Sequence, residues 1–145
     1  MPTVRLDFSP APAHVRTARL VAVAVARRAG VADELLDEIR LAVGEACSRA
    51  VALHQRYGLD ALVQMEMSDS GRFTVRVCDR GPAEAPVQRA TVPDPADLVA
   101  DTADLGTTDV TVGMGLALLA GLVDDLDVAP RTDGPGSTVS MSWVM

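Results

Sequence analysis

The chain contains no lysine. Its 13 basic residues are all arginine, so any phosphate-binding role falls to guanidinium groups or to backbone amides. Cysteine is scarce: two residues, Cys47 and Cys78, in a chain of 145, too few for a disulfide framework. Both are read as buried thiols that pack as small apolar residues. The two histidines, His14 and His54, have no ligand spacing with each other or with either cysteine, which argues against a metal site. Long apolar runs are absent. The most apolar stretch, 20–26, falls well short of the roughly 18–20 residues of a membrane span. It also lacks the cationic start and cleavage site of a signal peptide. Positive charge is outweighed, with 20 acids against 13 bases, a net charge of −7 and a pI of about 4.6. That balance argues against nonspecific nucleic-acid binding and against an anionic membrane surface. The expectation is a cytoplasmic protein.

What is present suits one folded domain over 1–145, with 48% hydrophobic and 23% charged residues. Residues 3–8 alternate, with Val4, Leu6 and Phe8 on one face and Arg5 and Asp7 on the other, as a half-buried strand does. Val15, Ala18, Ala22 and Val25 recur at helical spacing and predict a helix over 11–29, with Gly30 as its cap. A second helix is predicted from a cap at Asp33 to a stop at Gly58; Leu35, Leu36, Ile39, Ala42, Val43, Ala46, Ala50 and Leu53 form its apolar stripe. Strands over 61–68 and 72–79 are joined by Asp69-Ser70-Gly71, a hairpin signal. From 80 to 112 the periodicity fails, and four of the nine prolines lie there, at 82, 86, 93 and 95. So long a stretch without a regular pattern is usually functional. A short helix over 95–103 would put Asp97, Asp101 and Asp104 on one side. A third helix is predicted over 113–124, then strands over 126–129 and 137–144, the last with Val139, Met141 and Trp143 facing inward. The implied fold is an α/β two-layer sandwich, a mixed or antiparallel sheet with helices on one face.

Four segments stand out in order. The acidic second helix carries Gly44-Glu45-Ala46-Cys47-Ser48-Arg49; a strand ends in Cys78-Asp79-Arg80-Gly81; Gly113-Met114-Gly115 opens a helix; Gly136-Ser137-Thr138 opens the last strand. In this order and spacing the chain resembles the serine-kinase anti-sigma factors of bacteria, members of the histidine-kinase-like ATPase class (GHKL or Bergerat fold). The resemblance covers nearly the whole chain. It implies a glutamate base at Glu45, adenine contacts from Asp79 and Gly81, phosphate contacts at Gly113 and Gly115, and a further nucleotide contact at Thr138. ATP or ADP is the cofactor it implies, with the stretch 82–112 as a lid. It also implies a partner-binding role for the arginines of the first helix, Arg16 and above all Arg19, and a homodimer seam formed by the first strand and helix.

The sequence departs from that pattern at telling places. The family's Mg²⁺-binding asparagine, four residues after the base, is Arg49. An arginine offers no lone pair to a hard cation, so Mg²⁺ is not expected. Arg49 lies four residues after Glu45, in the favourable orientation for a helical ion pair, and the expectation is that the two close on each other. A bare phosphate neutralised by Arg49 stays open as its alternative role. The last glycine of the adenine motif is Ala83. Residues 82–112 hold six acids and one base, Arg89, a net charge of −5 where triphosphate would lie.

The expected function is therefore that of an anti-sigma regulator. It would sequester a sigma factor of RNA polymerase and be antagonised by an anti-anti-sigma protein of the STAS class, with kinase activity lost or weakened. Two alternatives stay open at this point: a working Mg-ATP-dependent protein serine kinase, and a nucleotide-binding module with another partner.

Overall fold

The structure is a computed structural model, and it describes residues 3–82 and 121–145. The alternation at the start of the chain gives β1 (Val4–Phe8), in which Phe8 is buried and Arg5 and Asp7 are exposed. Pro12, whose missing N–H costs nothing in a first turn, begins α1 (Pro12–Ala29). Gly30, at φ +90°, ends it and donates its N–H to the carbonyls of Ala26 and Arg27. α2 (Asp33–Arg56) follows after three residues. Asp33 is its first helical residue rather than its cap. Ala32 holds the cap position in extended backbone with no side-chain hydrogen bond, and Asp33 and Glu34 act through their charge at the positive end of the helix dipole.

The remaining strands are β2 (Val63–Asp69), β3 (Arg72–Cys78), β4 (Asp125–Pro130) and β5 (Ser137–Val144). They form one sheet in the order β1-β2-β3-β5-β4, and every neighbouring pair is antiparallel. β1 and β4 are its edges. Of the third helix expected over 113–124, residues 121–124 lie in the described part; 121 and 122 are helical, and the helix has ended before 123, short of the expected Asp124. Asp124 is already part of the sheet's margin: its N–H donates to Ser142 O (3.1 Å) and its carboxylate accepts the Val144 N–H (2.7 Å). The short helix over 95–103 and the acidic stretch fall outside the described residues.

The two faces of the sheet differ sharply. One packs on α1 and α2, where Phe73, Met65, Met67, Met141 and Trp143 meet Ile39, Val43 and the alanine faces of both helices. Each large side chain so buried contributes roughly 1.5–3 kcal/mol. Phe73 and Trp143 lie 6.2 Å apart between ring centroids, and the Trp143 indole donates to Leu122 O at 3.0 Å. The other face is polar. One cross-strand row runs Arg5, Glu66, Arg76, Ser140, Asp127, and the next runs Gln64, Cys78, Thr138, Ala129. Cys47 is buried as expected, but Cys78 is only partly so, because its parity on β3 turns it to this open face. The two-layer α/β sandwich with helices on one face is what forms.

Candidate functional site

α2 and the end of β3 meet at a buried charged pair. Arg49 is 5% exposed and Asp79 1%. Arg49 Nη1 donates to Asp79 Oδ2 at 3.3 Å. The expected pair with Glu45 does not form. Glu45 sits half-buried with no hydrogen bond or ion pair among the described residues, while Arg49 turns inward. Arg49 lies three residues after Ala46 and four before Leu53, both buried, so its stem belongs to the apolar stripe of α2 and its head must find a partner there. Burial pushes the Arg49 guanidinium down from its ordinary pKa, and the neighbouring Asp79 carboxylate offsets part of that. Its Nε is buried without a hydrogen-bond partner.

The other Asp79 oxygen, Oδ1, accepts the Gly81 N–H at 2.9 Å, a tight local turn. A Cβ at Gly81 would stand 3.3 Å from that same oxygen and 3.5 Å from Leu53 Cβ. Asp79 N–H donates to Ser137 O at 3.0 Å. Gly136, at φ +123°, is where the chain passes closest: a Cβ there would lie 2.0 Å from the Asp79 carbonyl oxygen and 2.7 Å from Arg131 Cδ. Asp79 is therefore held from three sides, by α2, by its own turn and by the start of β5.

Two residues of this neighbourhood escaped the sequence reading. His54, fully buried, joins two chain segments: Nδ1 is 2.9 Å from Ala61 O, and Nε2 accepts the Arg80 N–H at 2.8 Å. The partners assign the neutral Nδ1–H tautomer. Its position one turn past Ala50 on the buried face was the available signal. The second is Ser137, buried at 6% beside Asp79. Thr138 faces the opposite way, its hydroxyl 3.4 Å from Cys78 Sγ on the open face. The inward parity of Val139, Met141 and Trp143 already assigns Ser137 to the helix side and Thr138 to the other.

Thus Arg49, Asp79 and Gly81 come together, Glu45 lies one turn before Arg49 on the same helix, and Thr138 stands apart. Gly113 and Gly115 lie outside the described residues. On α1, Arg16 is exposed and Arg19 half-buried. Arg19 runs across α2 at Gly44, where a Cβ would be 2.8 Å from its Cδ. It lines a groove of about 280 Å³ with Ser48, Val51 and Gln55. A glycine inside a helix costs about 1 kcal/mol relative to alanine. Here it admits the arginine stem.

The described residues do not fit a Mg²⁺ ion at the position the resemblance assigns to it: Arg49 offers no lone pair, and its guanidinium is paired with Asp79. Among them, no group of three His, Cys, Asp or Glu residues has metal-binding geometry. An adenine amino group would find both Asp79 oxygens engaged and would reach Oδ2 only by displacing Arg49. No described helix is long and apolar enough to cross a membrane.

Comparison with known proteins supplies the frame for this geometry. No curated protein matches the chain in sequence. Among solved structures, a chain in the crystal structure of the SiaB–SiaC complex from Pseudomonas aeruginosa is similar at a TM-score of 0.56 and 11% identity, with 98% of this chain and 89% of that chain covered. At that identity the likeness is one of fold. The family profile for the histidine kinase-like ATPase domain matches residues 8–143, from the last residue of β1 to Trp143 near the end of β5, and by that match the chain belongs to the histidine kinase-like ATPase family.

Proposed function

We propose that this member of the family is a regulator of the anti-sigma type, working by partner binding rather than by phosphoryl transfer. It would sequester a sigma factor and be released by a STAS-type antagonist, as a homodimer whose seam uses β1 and α1. The observation that carries the reading is the buried Arg49–Asp79 pair. The family resemblance assigns these two positions to metal and adenine; here they are joined by one internal contact, and a steric inhibitor needs neither ligand. Arg16, exposed, and Arg19, anchored over Gly44, are the residues assigned to the partner surface. The similarity in fold to a chain crystallised in a SiaB–SiaC complex is consistent with a protein that acts in a complex.

The competing reading, an active protein serine kinase, is favoured by one observation: Glu45 has no structural partner among the described residues, which leaves its carboxylate available to take a proton. The two readings separate in one experiment. Tagged protein is purified from its native cytoplasm, its co-purifying proteins are identified, and the recovered partner is incubated with Mg-ATP. The regulator reading expects a stoichiometric sigma factor or STAS protein, no phosphoserine, and binding weakened about tenfold or more by Arg19→Glu. Rapid phosphorylation of the partner would establish the kinase instead, and recovery of neither partner would remove the anti-sigma assignment. Arg49→Asn adds a second readout: nucleotide affinity rises if Arg49 blocks the site and falls if Arg49 is a working part of it.

A further inference from the structure

The open face of the sheet carries a second concavity, of about 590 Å³, on the side away from α1 and α2. That size falls within the roughly 300–1,000 Å³ of small-molecule sites. Its floor is the row Gln64, Cys78 and Thr138, its walls are Arg5 and Glu66 on one side and Arg80 at the end of β3, and its rim is the turn that follows β4. The turn is fixed by Arg131, whose side chain is 8% exposed. Its Nε and Nη2 hold Asp133 in a two-point contact of 3.1 and 3.2 Å, and its Nη1 reaches Gln64 Oε1 at 3.5 Å, passing over β5 and β3 to do so. Arg131 also holds the Asp133 carboxyl below the usual carboxylate range.

The charges around this groove are unevenly spent. Asp133 has both oxygens on Arg131, so that pair is internally neutral. Arg5 commits only its Nε, to Asp7 at 2.9 Å, which leaves both of its Nη groups. Arg80 gives its backbone N–H to His54, and its guanidinium makes no hydrogen bond or ion pair among the described residues. Two donor forks thus border one cavity in a protein whose net charge is −7. Guanidinium forks match the oxygens of a phosphate. No aromatic or large aliphatic side chain lines the groove, so it offers nothing for a purine ring to stack on. Glu66, Gln64 and Thr138 offer acceptors and donors suited to hydroxyl groups instead.

We propose that this groove binds a phosphorylated, hydroxyl-rich small molecule of the sugar-phosphate class, with Arg80 and Arg5 on the phosphate and Glu66 and Gln64 on hydroxyls. The inference does not rest on the regulator reading, because it uses the groove on the open face of the sheet and not the Arg49–Asp79 pair or the α1 arginines. Arg80 carries the test, since its side chain holds no structural bond here whereas Arg131 builds the turn. The full chain is titrated with a hexose 6-phosphate, with inorganic phosphate and with AMP, by calorimetry and by amide chemical shifts. The expected result is saturable binding of the hexose phosphate, tighter than either other probe, with shifts centred on Cys78 and Thr138. Arg80→Ala should weaken it about tenfold or more, and Arg28→Ala, at the far end of α1, should leave it unchanged. Binding should also weaken as salt rises. No binding at millimolar concentration would overturn the proposal, as would binding that Arg80→Ala leaves intact. Equal affinity for inorganic phosphate or for AMP would overturn the assignment of ligand class.

Discussion

The two faces of one sheet handle charge in opposite ways. Toward the helices one ion pair among the described residues, Arg49–Asp79, sits in a mostly apolar layer, withdrawn from water. Toward solvent, arginines and acids alternate in rows across the strands, and pairs such as Arg5–Asp7 stay partly exposed. The same residue types therefore carry unequal weight. An exposed pair trades one set of hydrogen bonds for another, while a buried one cannot lose a partner without stranding a charge.

The largest expected effect follows from that contrast. Arg49→Ala should cost about 3–5 kcal/mol in denaturant unfolding, because it strands the buried Asp79 carboxyl without its charged partner. The double replacement Arg49→Met with Asp79→Leu should recover much of the loss, and a double-mutant cycle measures the coupling. A single-mutant cost below about 1 kcal/mol would mean that Asp79 is hydrated, and the contrast between the faces would lapse. Next comes the point where the faces touch. Gly136→Ala should cost about 2–3 kcal/mol, since its Cβ would meet a backbone carbonyl that cannot swing away. Gly71→Ala, at φ +83° in open space, should cost only about 1–2 kcal/mol from backbone strain.

A third prediction uses pH. Burial pushes the Cys47 thiol up to about 12 from 9.0, so between those values the unfolded chain has released a proton that the folded chain keeps. Stability from this group is complete below pH 9 and declines as pH rises toward 12, by up to about 1.4 kcal/mol per pH unit. Cys47→Ala should flatten that slope in alkaline unfolding curves; an unchanged slope would place its origin elsewhere. The smallest effect belongs to the open face. Thr74→Ala should change stability by no more than about 0.5 kcal/mol, whereas Val75→Ala, the next residue but on the buried side, should cost about 2–3 kcal/mol.

Much of the fold was legible because periodicity reports burial directly. The parity of β3 and β5 and the stripe of α2 follow from the spacing of Phe73, Val75, Met141, Trp143, Ile39 and Ala46. The boundary at Asp33 was misread because an acidic residue at a helix start serves equally as cap or as first-turn charge, and only the backbone distinguishes them. The site was less legible. Arg49 and Glu45 are neighbours on a helix, and local geometry alone favours their pairing. The outcome was set by a residue 30 positions away, brought close by the sheet. Thr138 and Ser137 show the reverse case, since strand parity separates their faces but a motif match does not consult it. The open-face groove left no trace in the sequence, because Arg5, Arg80 and the turn after β4 are joined only by strand order.

The composition of β4 bears on solubility. An edge strand exposes unpaired amides and carbonyls that invite a further strand from another molecule. β4 carries Asp125 and Asp127 on one side of the ribbon and closes at Pro130, which has no N–H to give. Two copies meeting edge to edge through β4 would crowd carboxylates together and gain an incomplete ladder. The sheet thus carries its own barrier to indefinite growth on that side, set by three side chains of β4 itself.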